Sequence, residues 1–236
     1  MRALSRLSVV VPVGPGDTLA PVLRAQLSAL PAQAQVCVVC AEAAQADAIL
    51  AALRGQPGPQ WRCVPATPGR ATQQNAGARL ATREWLWFVH ADAALAPTTL
   101  PALARVIDAG IEALAYFDLR FLDDGPRLMA LTTLGAWFRS RCLGLPFGDQ
   151  GLALPRALFE RLGGFDESLP GGEDHDLVWR ARRAGVPLQP ARAPLYTSAR
   201  KYAQRGWGAT TAFHLRETWR QARRFSRGGG SGGGNS

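Results

Sequence analysis

A single α/β domain, with a mostly parallel central sheet and helices on both faces, is predicted by three features of this 236-residue chain. Short apolar runs of strand character alternate with amphipathic segments through the first half, the order that parallel strands and their crossovers require. Polar, glycine-bearing stretches follow several of those runs, where loops at strand ends belong. A hydrophobic content of 47% against 19% charged residues is enough for a core that closes without disulfides.

Leu7–Val13 is expected to be the first strand, an apolar run broken by Gly14-Pro15-Gly16-Asp17. Leu19–Leu30 follows with helical spacing, then Val36–Cys40 as a strand and Ala43–Arg54 as an alanine-rich helix. Trp61–Pro65 is the third strand, and a helix is expected from about Thr72 to Ala81. Trp85–His90 is the fourth strand and Thr98–Asp108 the next helix. The second half is mixed and less regular. Ala113–Leu122 alternates like a strand and ends at the turn Asp123-Asp124-Gly125-Pro126. Leu128–Cys142 reads as a helix, Gly151–Leu154 as a short strand, and Arg156–Leu162 as a short helix closed by Gly163-Gly164. His175–Ala184 is a helix ended by Gly185. Val186–Leu195 is extended and carries three prolines, which suits a sheet edge. A last helix covers roughly Ala209–Phe225, and Gly228–Ser236 is a flexible glycine–serine tail.

The formal net charge is +9, and Lys201 is the only lysine. Arginine meets phosphate through two parallel hydrogen bonds, so the excess suits a nucleotide or an acidic surface. No aromatic-and-arginine platform or nucleic-acid motif accompanies it, and no nucleic-acid partner is expected. Of the four cysteines, Cys37 and Cys40 lie within one strand, where alternation points them to opposite faces. Without a second such pair they do not read as a zinc or redox site, and the chain is expected to be reduced and cytoplasmic. The basic start Met1-Arg-Ala-Leu-Ser-Arg is followed by too short an apolar run for a secretory leader, and no segment is long enough to span a bilayer. In the last helix Arg216, Arg220, Arg223 and Arg227 share one face beside Leu215, Trp219 and Ala222. Such a helix can rest on an anionic membrane or dock its stripe on its own domain, and both readings stay open.

Three polar stretches can carry chemistry. In Gly69-Arg-Ala-Thr-Gln-Gln-Asn75-Ala-Gly77, Arg70 can fork onto a phosphate at a helix start; an ordinary turn with a solvated arginine is the plainer reading. In His90-Ala-Asp92, a carboxylate at a strand end suits magnesium or manganese, which commonly bind through one or two acids plus substrate phosphates. Otherwise Asp92 simply caps a turn. In Gly171-Gly-Glu-Asp-His-Asp176, Glu173 or Asp174 could cap the following helix or accept the proton of an attacking hydroxyl. Asp176 should face elsewhere on that helix.

Gly69-Arg-Ala-x-Gln-x-Asn-Ala-Gly, His-Ala-Asp92, Phe147-Gly-Asp-Gln-Gly151, Gly163-Gly-Phe and Glu173-Asp174 occur in an order that resembles family-2 glycosyltransferases of the GT-A fold. The Gly-Arg-Ala, Gly-Asp-Gln and Thr197-Ser-Ala-Arg200 segments look most like the arsenosugar-biosynthesis-type subgroup. The resemblance covers roughly residues 7 to 225. It implies a domain over 1–227, with a nucleotide-sugar-binding half of about 1–110 and an acceptor-binding half of about 111–227. It also implies a nucleotide-sugar donor, a divalent cation and inversion at the anomeric carbon, with Asp174 as the base and Glu173 its neighbour. Asp92 matches the last acid of the family's D-x-D metal motif, with His90 in place of the first. Pro12, Glu42, Gly69, Arg70, Asn75 and Asp92 fall on the donor side, joined by Arg200 and Lys201 from their charge and position. Asp149, Gln150 and Trp137 fall on the acceptor side, whose substrate is unidentified.

Two departures stand out. The aspartate that reads the nucleotide base after the second strand is replaced by Cys40-Ala-Glu-Ala-Ala, leaving Glu42 as the nearest acid. Cysteine is a poor acceptor for such a bond. Val13-Gly-Pro-Gly-Asp17 also replaces the common Asn-Glu pair. A transferase fold that has lost its donor site and serves a partner is therefore the second reading. A sugar nucleotidyltransferase is the third, although Gly14-Pro-Gly16 lacks the basic glycine-rich loop that chemistry needs.

Overall fold

The computed structural model describes residues 2–126 and 129–200. A 3-10 turn (Arg2–Arg6) precedes β1 (Leu7–Val13), followed by α1 (Pro21–Ser28), β2 (Gln35–Cys40), α2 (Ala43–Leu53), β3 (Gln60–Pro65), α3 (Arg70–Leu80) and β4 (Trp85–Phe88). Then come β5 (Ala94–Leu95), α4 (Thr99–Ala109), β6 (Leu114–Phe121), α5 (Met129–Cys142), a 3-10 turn (Gly148–Gln150), β7 (Ala153–Pro155), α6 (Arg156–Arg161), α7 (Glu173–Arg183) and β8 (Leu188–Thr197). The strands form one sheet in the order β3-β2-β1-β4-β7-β6-β8-β5.

Strands β1 to β4 pair in parallel. Strand β7 is antiparallel to both β4 and β6, so β6 and its parallel neighbour β8 again run with β1. Six strands thus end on the same edge, with only β7 and β5 opposed. The order changes direction at β1, where β2 and β3 lie to one side and β4 to the other. Such a switch point leaves a crevice beyond the strand ends.

Alternation divides the core as the apolar runs predict. Val9, Val11, Val13, Val36, Val38, Trp87 and Phe117 face one core with Leu23, Leu27, Ile49, Leu103 and Ile107 from α1, α2 and α4. Val10, Leu86, Phe88, Tyr116 and Leu154 face the other with Ala71, Ala78, Leu158, Leu177, Val178 and Ala181 from α3, α6 and α7. Each large apolar side chain so buried contributes about 1.5–3 kcal/mol. Cys40 joins the first core and Cys37 the second, so the two thiols diverge. Burial raises them to about 11 and about 12 respectively, far from the reactive range.

Three details depart from the sequence reading. The two-residue β5 was not foreseen; it pairs Ala94 and Leu95 with Tyr196 and Leu195. Strand β8 is flanked by β6 along its length and by β5 only at those two residues, so the prolines at 190 and 194 sit where the other side is open. Helix α7 starts at Glu173, two residues earlier than expected, with Gly172 as its cap. Its acids therefore lie inside the first turn, where the helix dipole favours negative charge.

Candidate active site

The crevice at the C-terminal edge is assembled from separate parts of the chain. It takes the Gly69–Arg70 start of α3, the turn after β4, the 3-10 turn before β7 and the first turn of α7. Gly77 lets α3 lie close on the sheet: a methyl group there would come 2.4 Å from a Val10 methyl carbon and 3.2 Å from one on Val39. One turn earlier, buried Gln73 donates to the carbonyls of Val13 and Val39 at 2.7 and 2.9 Å, fastening the ends of β1 and β2 together. At the first loop, Gln45 donates to the carbonyls of Gly14 and Asp17.

Arg70 is the first residue of α3 and points across the crevice. Its Nε lies 3.6 Å from Glu173 Oε1 and its Nη1 3.8 Å from Asp174 Oδ2. Burial disfavours the charged guanidinium, but Asp174, Glu173, Asp149 and Asp92 outweigh it and hold its proton more tightly than usual. Those acids come from α7, the turn before β7 and the turn after β4, more than eighty positions apart at the extremes. Of the four, Glu173 and Asp174 lie against the guanidinium, while Asp149 and Asp92 act on it through their charge.

Asp174 is 6% exposed and Glu173 4%. Burial pushes Asp174 well above the ordinary carboxylate range; Glu173 adds to the shift, and Arg70 opposes it. The carboxylate lies against Gly148, whose backbone N–H donates to it. Beside it, the Phe147 ring is stacked between two groups. Its centroid is 3.4 Å from that of His175, and the Arg139 guanidinium carbon lies 3.1 Å from the ring. Gln150, fully buried, accepts from Phe147 N–H and Arg139 and donates to the Phe117 carbonyl at 2.9 Å. Gln150 thus braces the turn and has no face toward a ligand, unlike its expected acceptor-side role.

Asn75 is also revised. Its amide N–H groups go to the Phe165 carbonyl and Glu167 Oε1, both at 2.8 Å, and its oxygen accepts from Phe165 N–H. Both donors are used by the loop before α7, so Asn75 supports the site from beneath. Asp176 faces away from Arg70, as expected, and accepts from Arg180 at 2.7 Å. Arg180 also donates to the carbonyls of Leu162 and Gly164, tying α7 to that same loop.

The other candidates are spread along the edge. His90 and Asp92 are half-buried in the turn after β4, closed by Ala93 N–H donating to the His90 carbonyl at 3.1 Å. Among the described residues, no three His, Cys, Asp or Glu side chains gather as a protein-only metal cage. Pro12 is half-buried in β1, beyond the last β4 pairing at Val10, where its missing N–H costs no ladder bond. Glu42 is exposed at the start of α2. Cys40 is fully buried, so the position expected to read a base presents core instead. Trp137 is about half-exposed on α5, near exposed Leu134 and Phe138. Arg200 leaves the end of β8 on the same edge; its Nε is 3.4 Å from Asp124 and donates to Ser198 Oγ at 3.0 Å. Lys201 and the expected last helix lie outside the described residues.

Gln73, Gly148 and the Arg139–Phe147–His175 stack were missed by sequence reasoning. The visible signals were a glutamine one turn into the helix after Gly69 and a glycine beside Asp149; neither reveals its spatial partner.

This crevice at the switch point of a mixed α/β sheet, lined by acids and an arginine, is the architecture of GT-A glycosyltransferases. A family model described as "Glycosyltransferase like family 2" matches residues 6–227, and the chain belongs to that family. No curated protein matches. Among solved structures, a mannosyltransferase from Pyrobaculum calidifontis in complex with GDP-Man and Mn2+ is 22% identical, with a TM-score of 0.67; the match covers 93% of this chain and 64% of that one. S. aureus TarS 1-349 in complex with UDP-GlcNAc is 17% identical, with a TM-score of 0.63 and coverage of 81% and 58%. The chain therefore spans less than two thirds of the length of these structures. At these identities the likeness is one of fold.

Proposed function

We propose that this protein is an inverting glycosyltransferase that moves a sugar from a nucleotide-diphosphate donor to an acceptor hydroxyl, with Asp174 as general base. The observation that carries this reading is the meeting of Arg70 with buried Glu173 and Asp174 at the C-terminal edge of the sheet, at 3.6 and 3.8 Å. Asp174, buried and more basic than an ordinary carboxylate, would take the proton of the acceptor hydroxyl as its oxygen bonds to the anomeric carbon. The sugar–phosphate bond breaks on the opposite face, so a single displacement inverts the carbon. Glu173 sustains the basicity of its neighbour, while Arg70 at the start of α3 receives the donor's phosphates. Arg200 and Lys201 are assigned to the same diphosphate, and Asp149 and Trp137 to the acceptor side.

The residues fit a divalent cation, manganese or magnesium, only as a shared site. Asp92 and His90 would hold one side, and diphosphate oxygens would complete it. Four carboxylates act electrostatically on one guanidinium, and an added cation would offset that negative charge as a diphosphate enters. Bound there, the cation would neutralise charge developing on the leaving diphosphate. Of the two similar structures, one holds a uridine donor and the other a guanosine donor, so the fold alone does not choose the base.

Membership of the arsenosugar-type subgroup rests on the Gly-Arg-Ala, Gly-Asp-Gln and Thr-Ser-Ala-Arg segments. Among the described residues no helix is long and apolar enough to cross a membrane. Peripheral contact at the cytoplasmic face is assigned to the basic stripe of residues 209–225, which liposome flotation of the full chain against one ending at Arg205 would check. The second reading, a binding module without a donor site, is favoured by one observation: Cys40 lies in the core where a base-reading acid is expected. A thermal-shift panel of UDP, GDP, CDP and dTDP with manganese separates the two. Metal-dependent stabilisation by one base is expected of the transferase, and indifference to all four would leave the module.

A further inference from the structure

Arg70 differs from two other arginines that pair with acids at least partly buried. Arg180 is locked by hydrogen bonds to Asp176 and two carbonyls, and Arg141 donates to both oxygens of Asp118 at 2.8 and 3.0 Å. Arg70 approaches Glu173 and Asp174 only to 3.6 and 3.8 Å, beyond hydrogen-bond length, and its side chain is 48% exposed. Glu173 Oε1 and Asp174 Oδ1 are buried yet accept no hydrogen bond. Two adjacent buried acids therefore lean on one loosely held cation, positioned where an incoming phosphate would meet the first turn of α3.

Resting on the donor reading above, we infer that Arg70 is a shared counter-ion: it neutralises Glu173 and Asp174 in the empty crevice and passes to the diphosphate when donor binds. The transfer couples the two halves of the reaction. While Arg70 faces Asp174, the carboxylate is electrostatically satisfied and less basic. Once the guanidinium turns to phosphate, Asp174 becomes the stronger base and its free oxygen is available to an acceptor hydroxyl. The remaining charges around Asp174 do not replace the lost cation. Glu173, Asp149 and Asp92 are themselves carboxyl groups, His175 is stacked on Phe147, and Asp176 is occupied by Arg180. The base is thus armed only with donor in place.

A double-mutant cycle on diphosphate affinity tests this without turnover. UDP, GDP and inorganic pyrophosphate, each with magnesium, are titrated calorimetrically into the wild-type protein, Arg70→Gln, Asp174→Asn and the double variant. Arg70→Gln should weaken binding about tenfold. Asp174→Asn should tighten it about two- to fivefold, as expected for release of a partly exposed ion pair. In the Arg70→Gln background that tightening should vanish, because no guanidinium remains to release. Tightening of equal size in both backgrounds would mean simple charge repulsion and overturn the sharing, while the donor reading survives. Failure of the wild-type protein to bind any of the three would overturn the donor reading itself. Glu173→Gln provides a second route around the cycle should Asp174→Asn not fold.

Discussion

The backbone of Gly148 lies flush against the carboxylate of Asp174: a methyl group at Gly148 would stand 2.1 Å from Asp174 Oδ2 and 2.6 Å from Oδ1. No rearrangement of the methyl relieves this, so the carboxylate must move. Gly148→Ala is expected to keep the fold while lowering transfer about 100-fold, the scale associated with an ångström-level displacement of a reacting group. Comparing kcat with the thermal melt of the same preparation checks it; normal turnover would mean that Asp174 is not the base.

Asp174→Asn should lower kcat by roughly 10²–10⁴-fold without weakening nucleotide binding. It should also alter the pH dependence of stability. The folded-state pKa of Asp174 is raised from 3.8 to about 7, so wild-type stability is greatest below the lower value and falls as pH rises through the upper one. The amide cannot ionise and escapes that loss. The variant should match wild type near pH 4 and exceed it above pH 7, by at most about 4 kcal/mol. Urea melts across that range measure the difference, and parallel curves would contradict the raised pKa.

Asp92→Ala should selectively reduce the metal-dependent part of nucleotide binding. Titrating the preferred nucleoside diphosphate with manganese and then with EDTA gives the metal contribution directly. A loss of about tenfold or more with manganese, and little change with EDTA, is expected of a metal ligand. The same dissociation constants as wild type in both conditions would remove Asp92 from that role.

Asn75→Ala should destabilise the protein more than it changes chemistry. It leaves the Phe165 N–H and carbonyl without their partner and frees Glu167 from one of its hydrogen bonds, a loss of about 1–3 kcal/mol. Denaturant unfolding should show that loss while nucleotide affinity falls only modestly. A large affinity loss at unchanged stability would return Asn75 to the donor contacts.

Much of the frame was legible because its signals are local. Leu7–Val13 is an unbroken apolar run, and its boundaries agree with β1 residue for residue. The acids of α7 were visible as a cluster that could cap the helix or take a proton; the structure puts them in the first turn with Gly172 as the cap, because negative charge is favoured inside a helix start as well as just before it. Strand β5 has two residues, too few for any periodicity to show. The candidate acids themselves, Asp92, Glu173 and Asp174, were legible from motif order. The contacts around them were not: Gly148 against Asp174, and Asn75 beneath the loop at Phe165, are distances between segments that no spacing encodes.

Gln73 ties β1 to β2 by gripping only main-chain carbonyls. That bond asks nothing of the side chains at those strand ends, which are held instead by packing: Val13, Val39 and Cys40 are all fully buried. A cysteine at position 40 is therefore kept by the core and not by this clasp, and the exposed Glu42 just beyond it is where the rim tolerates exchange at least cost to what lies beneath.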